Sequence, residues 1–241
     1  MNYTYAELHY HTKESSYCGK VSAYDAIPIY RENGYDLMCV TDHYNRSYFE
    51  NHHVNGMPWN DAVDVWFAGW KAAKEAGEKN GVKILHAAEF KFDGLPNDYL
   101  VYGVTDEMYY EIPYMYAWTP AQFSEFARKN GIFFSQAHPF RGGMIRTDPS
   151  LLDGIEALNS HPIHEGHNEL SIEWARENDL IPICGQDYHE LVAMVGCKTR
   201  FYGDVSDMKT LVSKLFNREY DIVLPDKRIF TAKDFLNECK L

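Results

Sequence analysis

The chain lacks the features that would mark it as secreted, membrane-embedded or disordered. Its five cysteines, Cys18, Cys39, Cys184, Cys197 and Cys239, are odd in number and show no CxxC spacing, which argues against a disulfide framework and for reduced thiols. No apolar run approaches the roughly 20 residues of a membrane-spanning helix. The opening Met1-Asn2-Tyr3-Thr4-Tyr5 has neither the basic stretch nor the apolar core of a secretory leader, so a cytoplasmic protein is expected. Basic residues are outnumbered, 23 Lys and Arg against 35 Asp and Glu, for a net charge of −12. That balance argues against a broad nucleic-acid surface. It leaves room for a phosphorylated substrate, because bound cations invert the charge of a site. Low-complexity tracts, internal repeats and an interdomain linker are all missing. So is a nucleotide-binding glycine loop, since Arg141-Gly142-Gly143-Met144 is too short for one.

What the chain has is a series of histidine and carboxylate clusters, each placed where a β-rich run ends: His9-Tyr10-His11, Thr41-Asp42-His43, His86-Ala87-Ala88-Glu89, Ala137-His138-Pro139 and Gln186-Asp187-Tyr188-His189. His9 and His11 are two apart, so an extended strand turns both imidazoles to one face. Asp187 and His189 repeat the spacing after the apolar run Leu180 to Gly185. A carboxylate and imidazoles offered together suit zinc, manganese or iron. A lone histidine of this kind is usually a hydrogen-bonded structural residue; five clusters in order carry the metal reading.

The chain order alternates strands and helices. Ser22 to Asn33 reads as a helix capped by Ser22 and ended by Gly34, and the strand Leu37 to Val40 leads to His43. Asn60 to Asn80 reads as one long helix stopped by Gly81. Tyr99 to Gly103, Gly131 to Gln136 and Gly154 to Leu158 read as strands, and Thr119 to Asn130 as a helix with Thr119 at the N-cap and Pro120 at its first position. Asn168 to Asn178 and Val205 to Phe216 are further helices. Active groups collect at the C-termini of parallel strands in an α/β barrel, and 241 residues suit one such domain. The expectation is α/β, a single barrel domain over residues 1–241. Tyr44 to Trp59, which holds His52 and His53, reads as a loop over the barrel mouth.

Glu7-Leu8-His9-Tyr10-His11-Thr12, Val40-Thr41-Asp42-His43, Ala88-Glu89, Ala137-His138-Pro139 and Gly185-Gln186-Asp187-Tyr188-His189 resemble the four ordered motifs of the PHP (polymerase and histidinol phosphatase) superfamily, over about residues 7–190. The resemblance implies a distorted seven-stranded TIM-like (β/α) barrel holding two or three divalent metal ions and hydrolysing phosphate esters. It assigns His9, His11 and Asp187 to one metal, Glu89 as a bridge to a second held by His138, and His43 and His189 to a third. Asp98 stands where family members often place another ligand. Two departures are visible. Glu7 replaces an aspartate, and Glu14-Ser15-Ser16-Tyr17 stands where the family often has an aspartate or histidine, leaving the His43 metal short of a ligand.

The mechanism expected is attack by a metal-activated water on a small phosphorylated substrate or nucleotide. Arg141 is the candidate phosphate clamp, because guanidinium matches phosphate oxygens in pairs, with Arg146 behind it. Asp42 is read as orienting a ligand or accepting a proton. An amidohydrolase-type enzyme on the same metals, and a metal-binding module without turnover, are the alternatives. Cys18 is read as a structural thiol, His86 as core, and His161, His164 and His167 as a mostly exposed cluster from which His161 has the best chance of reaching the site.

Overall fold

The computed structural model describes residues 2–51, 54–190 and 196–241, and two six-stranded sheets run through them. The first has the order β12 (Ile229–Thr231), β11 (Tyr220–Val223), β10 (Lys198–Tyr202), β1 (Tyr3–Tyr10), β2 (Leu37–Val40), β4 (Lys83–His86). The second has the order β3 (His43–Tyr44), β5 (Ala88–Lys91), β6 (Asp98–Tyr102), β7 (Phe133–Gln136), β8 (Gly154–Asn159), β9 (Ile181–Gly185). The two are joined on both sides. β2 passes into β3 through Thr41-Asp42, and β4 into β5 through Ala87 alone. On the other side the segment just past β9 meets β1 through one isolated bridge, Tyr10 to Tyr188, and through the Asp187 N–H donating to the His9 carbonyl at 3.0 Å.

This mixed α/β arrangement differs from the repeated βα alternation expected. β1–β2, β2–β4, β7–β8 and β8–β9 pair in parallel, but β5–β6, β6–β7 and β1–β10 are antiparallel. Between β5 and β6 there is only Phe92 to Asn97, too short for the crossover a parallel neighbour requires. The strand at Lys198–Tyr202 has no counterpart in the sequence reading. Its alternating half-buried pattern suits the outer flank of β1.

Helix ends follow their side-chain chemistry. α1 (Ala23–Glu32) starts at Ser22, whose hydroxyl accepts from Asp25 N. The helix Pro120–Asn130 opens on a capping box between Thr119 and Gln122 and closes on the left-handed Gly131. The expected long helix is two helices, Trp59–Trp66 and Ala68–Asn80, broken at Phe67. Ser15 is the cause. Its hydroxyl donates to the Trp66 carbonyl at 2.6 Å and accepts from Gly69 N at 2.7 Å, so it takes two groups that the helical ladder would otherwise use. The segment Tyr44 to Trp59 is likewise no cover for the mouth among its described residues: Tyr44, Tyr48, Phe49 and Val54 are buried in the main apolar cluster, and Arg46–Asn51 is helical. Tyr44 stacks on Phe90 at 4.4 Å between ring centres, and Phe49 packs on Trp59 at 4.8 Å. The aromatic content of the segment serves burial. His52 and His53 lie outside the described residues.

Gly69 lies against the loop that follows β1. A Cβ at this position would come within 2.1 Å of Thr12 Oγ1 and 2.4 Å of Asp42 Oδ2. Gly69→Ala is therefore expected to lower stability by about 1–3 kcal/mol, the usual range for an overpacked contact, although alanine favours helix. Urea denaturation decides it; a variant as stable as the wild type would mean that this contact is not tight.

Candidate metal centre

Glu7, His9 and His11 share one face of β1 and its immediate continuation, and all three are buried. Glu89 comes from β5, Asp98 from the start of β6, His138 from just past β7, and Asp187 and His189 from just past β9. The strand ends thus bring together all eight residues read as metal ligands, His43 included. His9 Nε2 and His11 Nε2 are 3.1 Å apart. Asp187 Oδ1 is 3.4 Å from each of them, Glu89 Oε1 is 3.4 Å from His9 Nε2, and Glu89 Oε2 is 3.2 Å from His11 Nε2. A tetrahedral ion with bonds of about 2.0–2.1 Å spaces its ligand atoms about 3.3 Å apart. His9, His11 and Asp187 match that spacing without rearrangement, and Glu89 turns one oxygen to each of the two imidazoles. His138 Nε2 lies 3.2 Å from Glu89 Oε1, and His43 Nδ1 lies 2.9 Å from Glu89 Oε2, so Glu89 has donors on both of its oxygens, as a bridging carboxylate must.

The imidazoles are aimed by a second layer that the sequence reading missed. Glu156, in β8, holds His9 Nδ1 at 2.9 Å through Oε1, while its Oε2 accepts from the His138 backbone N–H at 3.0 Å and from Asn159 Nδ2 at 2.9 Å. His9 Nε2 is thereby left facing the centre. Ser16 Oγ lies 3.2 Å from His11 Nδ1 and donates to Asp42 Oδ1 at 2.7 Å. Asp42 also accepts from Thr12 N and Thr12 Oγ1, each at 2.7 Å. Its carboxylate is thus engaged in holding the loop and, through Ser16, His11. The Glu7 carboxylate accepts from His9 N and Gln186 N, tying β1 to the segment just past β9. Glu156 did leave a signal in the sequence: one carboxylate inside the apolar run Gly154-Ile155-Glu156-Ala157-Leu158 must find a partner if buried.

The centre forms the floor of a cavity of about 470 Å³ lined by Cys18, Lys20, His43, Glu89, Asp98, His138, Arg141, His161, Ile163, His164, Asp187, His189 and Glu190. Arg141 is on its wall, with Nη2 donating to Asp187 Oδ2 at 2.5 Å and to Asn159 Oδ1 at 3.3 Å. Its Nε has no hydrogen-bond partner among the described residues. Arg146 lies elsewhere, over the Phe140 ring. His161 reaches the rim, 5.8 Å from His189 between ring centres. Its Nδ1 accepts from the backbone of Ile163 and His164, and burial lowers its pKa to about 4. His167 sits at the start of helix Asn168–Glu177, away from the cavity. His86 is also outside it, stacked on Trp70 and bonded to Asp106 at 2.7 Å.

The structural reading of Cys18 does not hold alone: it faces this cavity, with its sulfur within 4.8 Å of ring nitrogens of His189 and His43. Burial alone would raise its thiol, but the neighbouring His189 and His43 lower it to about 6. Burial also opposes charge on Glu89 and Asp187, and His9 with its neighbouring imidazoles holds both carboxyls well below the ordinary range. For His11, burial and His43 oppose protonation, while hydrogen bonds to Asp187 and Glu89 lift it to about 9. Asp98 is raised, by burial first and then by Glu89. Metal ions fit this donor set. Among the described residues buried His138 Nδ1 has no hydrogen-bond partner, Glu89 Oε2 and His43 Nδ1 face each other at 2.9 Å outside hydrogen-bond geometry, and nitrogen, oxygen and sulfur donors converge in four overlapping groups. Ions entering would displace protons from the imidazoles. Two of these residues hold unusual backbone: His138 has φ 25° and Asp187 φ 53°.

No protein-family model matches the sequence, and no curated protein matches it. Solved structures do. A two-domain protein of Bacteroides vulgatus containing a predicted PHP-like metal-dependent phosphoesterase superposes with a TM-score of 0.64 at 17% identity, over 92% of this chain and 65% of its own. The lesion-specific endonuclease EndoQ of Pyrococcus furiosus gives 0.57 at 16% identity, over 92% of this chain and 58% of its own. An amidohydrolase of Chromobacterium violaceum gives 0.51 at 14%, over 91% of this chain and 98% of its own. The chain thus spans about two thirds or less of the first two. What it shares with all three is architecture, and the chain has the fold of the PHP-like metal-dependent phosphoesterases.

Proposed function

We propose that the protein is a metal-dependent phosphoesterase, with residues 1–241 forming one domain, a distorted seven-stranded barrel of β1, β2–β3, β4–β5, β6, β7, β8 and β9. The observation that carries the reading is the convergence of His9, His11 and Asp187 at coordination spacing, with Glu89 turned to both imidazoles, on the floor of a cavity with Arg141 in its wall. His9, His11 and Asp187 would hold one ion and Glu89 would bridge it to a second, held with His138 and Asp98. Zinc, manganese and iron all suit these donors. Divalent ions in such a centre lower the pKa of water and offset phosphoryl charge.

The chain's own groups do the rest. Arg141 binds a phosphoryl oxygen through the edge of its guanidinium not given to Asp187. Asp187 and Asn159 fix the plane of that guanidinium before substrate arrives. Asp42 acts through Ser16, keeping His11 in one ring orientation. The cavity volume suits a small molecule, and the net charge of −12 disfavours a long polyanion, so a small phosphate monoester or nucleotide is the substrate class. The amidohydrolase likeness keeps amide hydrolysis as the second reading. The cationic Arg141 on the wall favours the phosphate.

Chelator-stripped protein reconstituted with zinc, manganese or iron is expected to bind at least two ions per chain, since the donor set exceeds one tetrahedral ion, and to hydrolyse phosphate monoesters across a substrate panel. Turnover of amides alone would favour the second reading. Glu89→Gln removes a charge from between two ions and should lose metal and activity together. Unchanged metal content would place the bridge elsewhere.

Glu156→Gln keeps the shape but weakens the hold on His9, and metal affinity is expected to fall about 10- to 100-fold, measured by competition with a chelator. Arg141→Ala should cost about 2–4 kcal/mol in kcat/KM, and Arg141→Lys should recover part of it. Because Arg141 touches Asp187, kinetics are compared at matched metal content. Equal kcat/KM would remove Arg141 from the substrate site.

A further inference from the structure

The family resemblance leaves the metal at His43 and His189 one ligand short, because Glu14-Ser15-Ser16-Tyr17 offers no aspartate or histidine at the expected place. In the structure that segment does other work. Ser15 breaks the helix ladder at Trp66, Ser16 bridges His11 to Asp42, Glu14 accepts from Ala23 N, and Tyr17 is exposed. The residue that reaches the centre is the next one, Cys18.

Three observations mark Cys18 as more than a space-filling thiol. It belongs to neither apolar cluster, whereas Cys39, Cys184, Cys197 and Cys239 all pack in or against the larger one. The donor atoms of Cys18, His11, His43 and His189 lie within 4.8 Å of one another. Its position is also built by backbone hydrogen bonds on both sides: Ser16 N to Thr12 O at 2.9 Å, Gly19 N to Ser16 O at 2.8 Å, and Lys20 N to His189 O at 2.8 Å. Gly19 lets the loop close this tightly, since a Cβ there would stand 2.6 Å from the Thr12 carbonyl oxygen.

The ring nitrogens are allotted accordingly. His11 Nε2 is taken up with His9, Glu89 and Asp187. His189 Nδ1 donates to the Asp187 carbonyl at 2.7 Å, which fixes the tautomer and leaves Nε2 with its lone pair free for an ion. His43 Nδ1 is turned to Glu89 at 2.9 Å, which leaves its other nitrogen for Cys18 and His189. We propose that Cys18 is a thiolate ligand of the metal site formed with His43 and His189, giving one sulfur and two imidazole donors with an open position toward the cavity. The inference rests on the metal-centre reading above. On binding, the S–H bond breaks, the sulfur lone pair enters the metal bond and the proton leaves to solvent. A thiolate is a soft donor, so this site favours zinc, iron or cobalt over manganese and magnesium. The Glu89, Asp98 and Asp187 oxygens make the rest of the centre more permissive.

The test is cobalt titration of the chelator-stripped full-length protein, read by absorption and by metal analysis. Wild type is expected to develop a near-ultraviolet thiolate-to-cobalt charge-transfer band beside the visible ligand-field bands. Cys18→Ser and Cys18→Asp should both lose the charge-transfer band. Cys18→Ser should bind about one ion fewer per chain, and Cys18→Asp should restore that ion through oxygen. As a second readout needing no variant, zinc should protect Cys18, but not the partly exposed Cys239, from alkylation, as mapped by peptide. Cobalt bound in wild type with no charge-transfer band, or a band retained in both variants, would overturn the thiolate ligand and leave the metal centre standing. Failure of wild type to bind cobalt or zinc at all would overturn both.

Discussion

Two carboxylates, Glu89 and Asp187, are buried among imidazoles, and the rest of the fold depends on keeping them there in charged form. Ionised carboxylates carry a large desolvation penalty unless paired and hydrogen-bonded. Here His9, His11, His43 and His138 surround them at 2.9–3.8 Å, and Arg141 adds a full charge at Asp187. The arrangement explains why so many polar side chains occupy the interior ends of the strands. It also explains the third carboxylate behind them, since Glu156 serves both His9 and the backbone of His138 and so aligns donors from β1 and β7 at once.

The same constraint reaches the helices. Asp42 takes Thr12 and Ser16, Ser15 takes the Trp66 carbonyl and Gly69 N, and Gly69 lies bare against Thr12 and Asp42. A break between two helices on the outside is therefore mechanically continuous with the aim of His11 at the centre. The break is no accident of propensity: the sequence from Trp59 to Asn80 has a helical pattern throughout, and the Ser15 hydroxyl, 51 residues upstream of Trp66, interrupts it.

Much of the cluster was legible because side chains two apart on a strand share one face, as His9 and His11 do, while Asp187 and His189 repeat the spacing just past β9, where Asp187 has φ 53°. The convergence of Asp98 with His43 and Glu89 was readable only through the resemblance. Local pattern does not encode what happens across the chain. The antiparallel turn at β5–β6 was hidden in the shortness of a loop, and Ser15, Ser16 and Cys18 looked ordinary because their partners lie far away in sequence. The segment Tyr44 to Trp59 misled for a different reason. Its asparagines, histidines and Pro58 suggest a loop over the mouth, but burial of Tyr44, Tyr48 and Phe49 in the core outweighs loop-like composition.

His138 and Asp187 add a cost of another kind. Both hold positive φ, a region L-residues avoid at an expense of order 1–3 kcal/mol each. Glycine would relieve that strain at either place but would remove a donor. At these two positions the chain is less stable than its backbone allows, and the deficit is the measure of how far the strand ends must bend to turn their side chains inward. Selection for thermal stability alone would erode the centre first at these two residues.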